Sequence, residues 1–118
     1  VMDLEKSIEF YTKFFNMKLI RKKDFPGGKF SLAFLGYGPE INNTVLELTY
    51  NWDQKELYDK GNGWGHIALG VEDIYELCDD LERSGLQITR KPGPMKHGST
   101  LIAFIKDPDG YSIELIER

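Results

Sequence analysis

Three side chains in this sequence have the types and settings to do chemistry together: Glu47, His66 and Glu114. Glu47 sits inside Val45-Leu-Glu-Leu48 and Glu114 inside Ile113-Glu-Leu-Ile116, so each carboxylate interrupts an apolar run of strand type. A carboxylate in such a run faces either water or a compensating partner, because burying it unpaired is costly or forces protonation. Taken singly, each glutamate reads as a solvent-facing residue on a half-exposed strand. His66 lies in Trp64-Gly-His-Ile-Ala-Leu-Gly-Val71. Period-two alternation puts it on a face with Trp64, Ala68 and Gly70, away from Ile67, Leu69 and Val71. The small neighbours leave room for the imidazole to meet something bulky. A lone strand histidine is commonly a hydrogen-bonded core residue, but one imidazole and two carboxylates on strands that could pack side by side form a donor set for a divalent cation.

The elements that must position these groups repeat. Asp3 to Phe15 reads as an amphipathic helix with Asp3 as N-cap and Leu4, Ile8, Tyr11 and Phe15 on one stripe. Strands follow at about 17–21, 30–35 and 44–50, punctuated by Phe25-Pro-Gly-Gly28 and by Gly36, Gly38 and Pro39. After a polar loop come a strand at 64–71, a helix from Asp73 to Ser84 closed by Gly85, and a strand at 86–89. The Pro/Gly loop 91–98, a strand at 100–105, the turn Asp107-Pro-Asp-Gly110 and a strand at 111–117 complete the order. The second half is strand–helix–strand–strand–strand and the first is helix–strand–strand–strand.

Residues match as well as elements. Val1-Met-Asp-Leu4 aligns with Val71-Glu-Asp-Ile74 and Ala33-Phe-Leu35 with Ala103-Phe-Ile105, both at an offset of 70. Leu46-Glu-Leu48 aligns with Ile113-Glu-Leu115 at an offset of 67. Three ordered matches flanking equivalent helices indicate an internal duplication, with repeat halves at about 1–52 and 63–118 of a single domain. Glu47 and Glu114 then occupy one repeat position. Nothing in the first half corresponds to the strand of His66, so the symmetry expects a partner strand before Val1, with a histidine about five positions back.

Composition bounds the class. The 118 residues suffice for one domain or two small halves sharing a core. Hydrophobic residues at 41% and charged residues at 29% describe an ordinary globular chain rather than a disordered one. The 15 basic and 19 acidic residues are interspersed, without the basic stripe that nucleic acid or an anionic membrane would require. No apolar run is long enough to span a bilayer. One cysteine, Cys78, excludes an internal disulfide, fits a reducing compartment and falls on the apolar stripe of the second helix as a core residue. No charged-then-apolar leader precedes the domain, although the first residue is Val1 rather than methionine, which reads as a fragment. His97, between Lys96 and Gly98, reads as exposed, and Asp107 and Asp109 as turn formers rather than ligands.

Tyr37-Gly-Pro-Glu40, Leu46-Glu-Leu-Thr-Tyr-Asn51, Gly65-His-Ile-Ala68, the stretch 89–96 and Asp107-Pro-Asp-Gly-Tyr-Ser-Ile-Glu-Leu115 together resemble the glyoxalase I family of the vicinal-oxygen-chelate superfamily. The resemblance covers essentially the whole chain. It implies an α+β fold of tandem βαβββ modules, with the first strand of the first module absent from this chain. It implies the metal-dependent isomerisation of the methylglyoxal–glutathione hemithioacetal to S-lactoylglutathione. Carried over by position, Glu47, His66 and Glu114 match three metal ligands, and Glu114 is the principal base with Glu47 its counterpart. The fourth ligand, a histidine, falls outside the chain, as does an upstream basic residue that helps bind glutathione. Asn51 resembles the residue that hydrogen-bonds the tripeptide, and Lys96, with Arg90 second, could neutralise its carboxylates. The compact sequence is similar to the branch activated by Ni²⁺ or Co²⁺, with Zn²⁺ the other candidate. The resemblance also implies a cytoplasmic homodimer with sites at the subunit interface. Two other classes share the fold: metal-free proteins that sequester small molecules, and other metalloenzymes such as fosfomycin-directed glutathione transferases, epimerases and extradiol dioxygenases. The first need no acids at both repeat positions, and the second usually keep two histidines and one glutamate.

Overall fold

Asp3 caps the first helix, α1 (Leu4–Phe15), its carboxylate accepting from the Lys6 amide at 3.0 Å in the computed structural model, which describes every residue from Val1 to Arg118. The helix stops at Asn16, whose left-handed backbone (φ 54°) is one that a short amide side chain tolerates. Three strands follow, β1 (Lys18–Phe25), β2 (Phe30–Gly36) and β3 (Val45–Asn51), forming an antiparallel sheet in that order. Helix α1 packs on this sheet, and Leu4, Ile8, Tyr11 and Phe15 form a core with Ala33, Leu35 and Leu48. These elements make one compact unit, Val1–Asp59; a second comprises Lys60–Arg118.

The second unit contains β4 (Ile67–Val71), α2 (Ile74–Arg83), β5 (Ile88–Pro94), β6 (Leu101–Lys106) and β7 (Ser112–Glu117). Its sheet runs β4-β7-β6-β5, with β4 parallel to β7 and the other pairs antiparallel. Helix α2 starts at Asp73, whose carboxylate accepts from the Glu76 amide at 3.3 Å. It ends in a Schellman turn: Gly85 (φ 87°) donates to Glu82 and Leu86 donates to Leu81. Ile74, Cys78 and Leu81 are buried in a core with Ala103, Ile105, Ile113 and Leu115, the last four fully inaccessible.

The duplication shows in the strand registers. Phe34 on β2 stands opposite Glu47 on β3, and Phe104 on β6 stands opposite Glu114 on β7. On the other side Arg21 faces Phe34, and Arg90 faces Phe104. The Val1 ammonium donates to the Thr49 carbonyl at 2.7 Å, at the edge of β3, as the Arg118 amide donates to Val71 at 2.9 Å where β4 and β7 end together. The architecture is the expected α+β pair: strand, helix and three strands in the second unit, helix and three strands in the first.

Three elements differ from the sequence reading. β1 continues through the charged Lys22-Lys-Asp24 to Phe25, which an edge strand tolerates because one row of its backbone faces water. β5 runs into the Pro/Gly stretch as far as Pro94; it is also an edge strand, and its register shifts on both sides of Arg90 absorb prolines that cannot donate to a ladder. β4 begins at Ile67 rather than Trp64, so His66 stands just ahead of the strand, between Gly65 and the first ladder pair Ile67–Ile113.

Candidate functional site

β7 carries Glu114 between Ile113 and Leu115, and because both neighbours are fully buried the pleat turns the carboxylate to the opposite face of the sheet, where its side chain is 17% exposed. β4 runs parallel beside it with Ala68 opposite Glu114. His66, two residues earlier, reaches the acid: Nε2 lies 3.0 Å from Oε2, with 43% of the imidazole side chain exposed. Phe104 backs the pair, its ring meeting the imidazole edge to face at 5.2 Å. A strand acid, an imidazole held against an aromatic ring and a short gap between them form the chemical centre of the second unit.

This donor pair fits a divalent cation. Neighbouring ligands on an octahedral ion at about 2.1 Å stand about 3.0 Å apart, which is the separation of the His66 nitrogen and the Glu114 oxygen. Imidazole nitrogen with carboxylate oxygen is the ligand mixture suited to borderline divalent ions. Neither unit by itself gathers three His, Cys, Asp or Glu side chains.

In the first unit the equivalent acid, Glu47, is exposed on β3. The equivalent ring, Phe34, is covered by Arg21, whose guanidinium carbon lies 3.6 Å from its centroid. Arg21 also forks onto Glu40 at 2.7 and 3.3 Å. Hydrogen bonding to Glu40 raises the Arg21 pKa above its usual range, opposed by desolvation and assisted by the charges of Glu40 and Glu47. A fixed cation therefore shares the sheet face of Glu47.

Of the residues singled out from the sequence, the structure brings His66 and Glu114 together, and Glu47 belongs to the other unit. Asn51 ends β3 and donates from Nδ2 to the Tyr58 hydroxyl at 2.8 Å. Lys96 is exposed on a turn closed by the Met95 amide donating to Thr100 at 2.8 Å, with His97 left-handed and exposed beside it. Asp107 is a turn former, its Oδ1 accepting from the Asp109 and Tyr111 amides at 2.9 and 2.8 Å. Phe34, Phe104 and Arg21 carry no sequence expectation, and Arg90, expected second to Lys96 as a partner for substrate carboxylates, instead turns its guanidinium to backbone carbonyls. The repeated Ala-Phe pair in Ala33-Phe-Leu35 and Ala103-Phe-Ile105 was the available signal.

Over residues 1–115 the sequence matches the glyoxalase/bleomycin resistance protein/dioxygenase superfamily, and the chain belongs to it. Within that superfamily its relatives are named lactoylglutathione lyase. A probable lactoylglutathione lyase of Synechocystis is 60% identical over 117 residues, covering 99% of this chain and 88% of the relative. The lactoylglutathione lyase of Neisseria meningitidis is 57% identical over 118 residues, covering 100% and 85%. Among solved structures, glyoxalase I of maize superposes with a TM-score of 0.93 at 52% identity; this chain is covered completely and spans 42% of the maize chain. A trypanothione-dependent glyoxalase I of Leishmania major superposes with a TM-score of 0.87 at 47% identity, covering 99% of this chain and 80% of that one. Glyoxalase I enzymes use a divalent metal.

Proposed function

We infer that this chain carries the lactoylglutathione lyase reaction, the isomerisation of the methylglyoxal–glutathione hemithioacetal to S-lactoylglutathione that removes methylglyoxal. One observation carries the reading. His66 and Glu114 meet at 3.0 Å in a chain that is 60% identical over 117 residues to a probable lactoylglutathione lyase.

His66 and Glu114 are the residues of the second unit that would hold a divalent metal, and Glu47 is the equivalent ligand of the first. A metal bound there would supply Lewis-acid stabilisation of the negative charge that develops on substrate oxygen. Glu114 does the proton work: it takes the proton from the sulfur-bearing carbon and returns it to the neighbouring carbon, so no net proton is gained or lost. Its setting suits this task, since a half-buried carboxylate on a strand opposite Phe104 is held in place by the sheet and open enough to meet substrate. Phe104 keeps the imidazole of His66 from turning away. Glu47 is the counterpart acid from the first unit. Asn51 hydrogen-bonds the tripeptide, and Lys96 neutralises one of its carboxylates. Ni²⁺ or Co²⁺ is the favoured metal, with Zn²⁺ possible, and the enzyme works as a cytoplasmic homodimer with sites at the subunit interface.

The test is thioester formation from methylglyoxal and glutathione by the full-length protein. Turnover should vanish after chelation and return on adding Ni²⁺ or Co²⁺, with Zn²⁺ the other candidate. Absence of thioester with all three metals, in a folded protein, overturns the reading.

A further inference from the structure

Arg21 and Arg90 hold the same repeat position, each opposite the phenylalanine that is itself opposite a strand glutamate. Their guanidinium groups are engaged differently. Arg21 is exposed and binds the Glu40 side chain and the Phe34 ring. Arg90 is half-buried and turns into the backbone of its own hairpin. Its Nη1 donates to the carbonyls of Ile102 at 2.6 Å, Gly93 at 3.1 Å and Lys91 at 3.3 Å, and its Nη2 to that of Pro94 at 2.8 Å.

The cause lies in the shape of β5. Its ladder to β6 shifts register between Ile88 and Arg90 and again between Arg90 and Gly93. Bulges leave carbonyls without ladder partners, and Pro92 and Pro94 add acceptors without adding donors. A planar guanidinium with five N–H groups can meet several such carbonyls at once, whereas an ammonium is a compact point charge. The turn carrying Lys96 opens at the very next residue: Met95 donates to Thr100 at 2.8 Å, and Gly98 donates to Met95 at 3.1 Å.

We propose that Arg90 is a positioning residue, a clasp on the bulged end of β5 that fixes the 95–100 turn and so presents Lys96 to the anionic end of the thiol-peptide substrate. The substrate clause rests on the lyase reading above. Both N–H groups of Nη1 and one of Nη2 are spent on backbone carbonyls, so the guanidinium is committed first to the hairpin.

The test compares Arg90→Gln, Arg90→Lys, Lys96→Ala and the double variant Arg90→Gln/Lys96→Ala in the full-length, metal-loaded protein. Amide exchange over residues 95–100 should quicken by about tenfold or more in both Arg90 variants, because neither side chain can hold four carbonyls. The KM for the hemithioacetal should rise by about fivefold in Arg90→Gln while kcat stays within about threefold. The double variant should be no weaker than Lys96→Ala by more than about twofold, as expected when one residue acts through the other. Wild-type exchange of the turn in Arg90→Gln overturns the clasp. A wild-type KM in Arg90→Lys, or additive effects in the double variant, overturns the positioning role in favour of direct charge recognition. If the parent protein lacks lyase turnover, the lyase reading fails, while the exchange measurement still decides whether Arg90 holds the turn.

Discussion

Replacing Glu114 with glutamine separates chemistry from structure at the candidate centre. The amide keeps the size of the side chain and leaves Ile113 and Leu115, both fully buried, undisturbed. It removes the proton affinity of the acid, and loss of a positioned acid–base group costs about 10²–10⁴ in rate, or about 3–5 kcal/mol at the barrier. The structural cost is far smaller. The polar partner of Glu114 is His66 at 3.0 Å, and with 43% of that side chain exposed the contact is open to water. Its loss should remove less than about 1 kcal/mol of stability, lowering Tm by at most about 5 °C in a protein of this size. Turnover of the hemithioacetal with saturating Ni²⁺ or Co²⁺, beside a thermal unfolding curve of the same preparation, measures both. Turnover within tenfold of wild type, with metal still bound, would refute the assignment of Glu114 as the base.

Three further outcomes, at Leu115 and Cys78, test the surrounding fold. Leu115→Ala opens a hole at a fully inaccessible position and should cost about 2–5 kcal/mol in urea unfolding; a loss under about 1 kcal/mol would mean the second core collapses to fill it. The Cys78 thiol is pushed up from 9.0 to about 11, first by burial and then by the charges of Glu82 and Asp79. Folded protein should therefore alkylate slowly at pH 8 and rapidly only once denatured. In the unfolded chain the thiol ionises near its ordinary value, so above it the unfolded state binds fewer protons. Stability from this group is complete below about pH 9 and declines as pH climbs toward 11, which unfolding curves across that window would register.

Much of this was legible in the residues. Asp3 and Gly85 mark helix ends because capping is local chemistry, and Ile74, Cys78 and Leu81 mark a buried stripe because helical periodicity is local too. The matched Val-x-Asp and Ala-Phe segments exposed the duplication, and with it the equivalence of Glu47 and Glu114 that the registers display. The limits of β1 and β5 were hidden because edge position, which decides whether Lys22 or Pro92 can sit in a strand, is a property of the sheet and not of the segment. The backbone engagement of Arg90 was hidden for the same reason. Its carbonyl partners arise from bulges, and no one-dimensional pattern announces a bulge. Exposed Glu47 fits the reading of a solvent-facing strand acid, whereas the cover over Glu114 comes from neighbouring strands and is not visible in its own segment.

The rims of the two sheets are finished unequally. β1 is studded with charge, β5 is kinked and proline-bearing, and β4 is only five residues long, all recognised ways of discouraging a stranger's backbone. β3 has none of these defences along Val45–Asn51 beyond the single charge of Glu47, and the ammonium of Val1 occupies one of its outward carbonyls. Within its own sheet, β3 is therefore the rim whose backbone is least guarded against pairing with another strand.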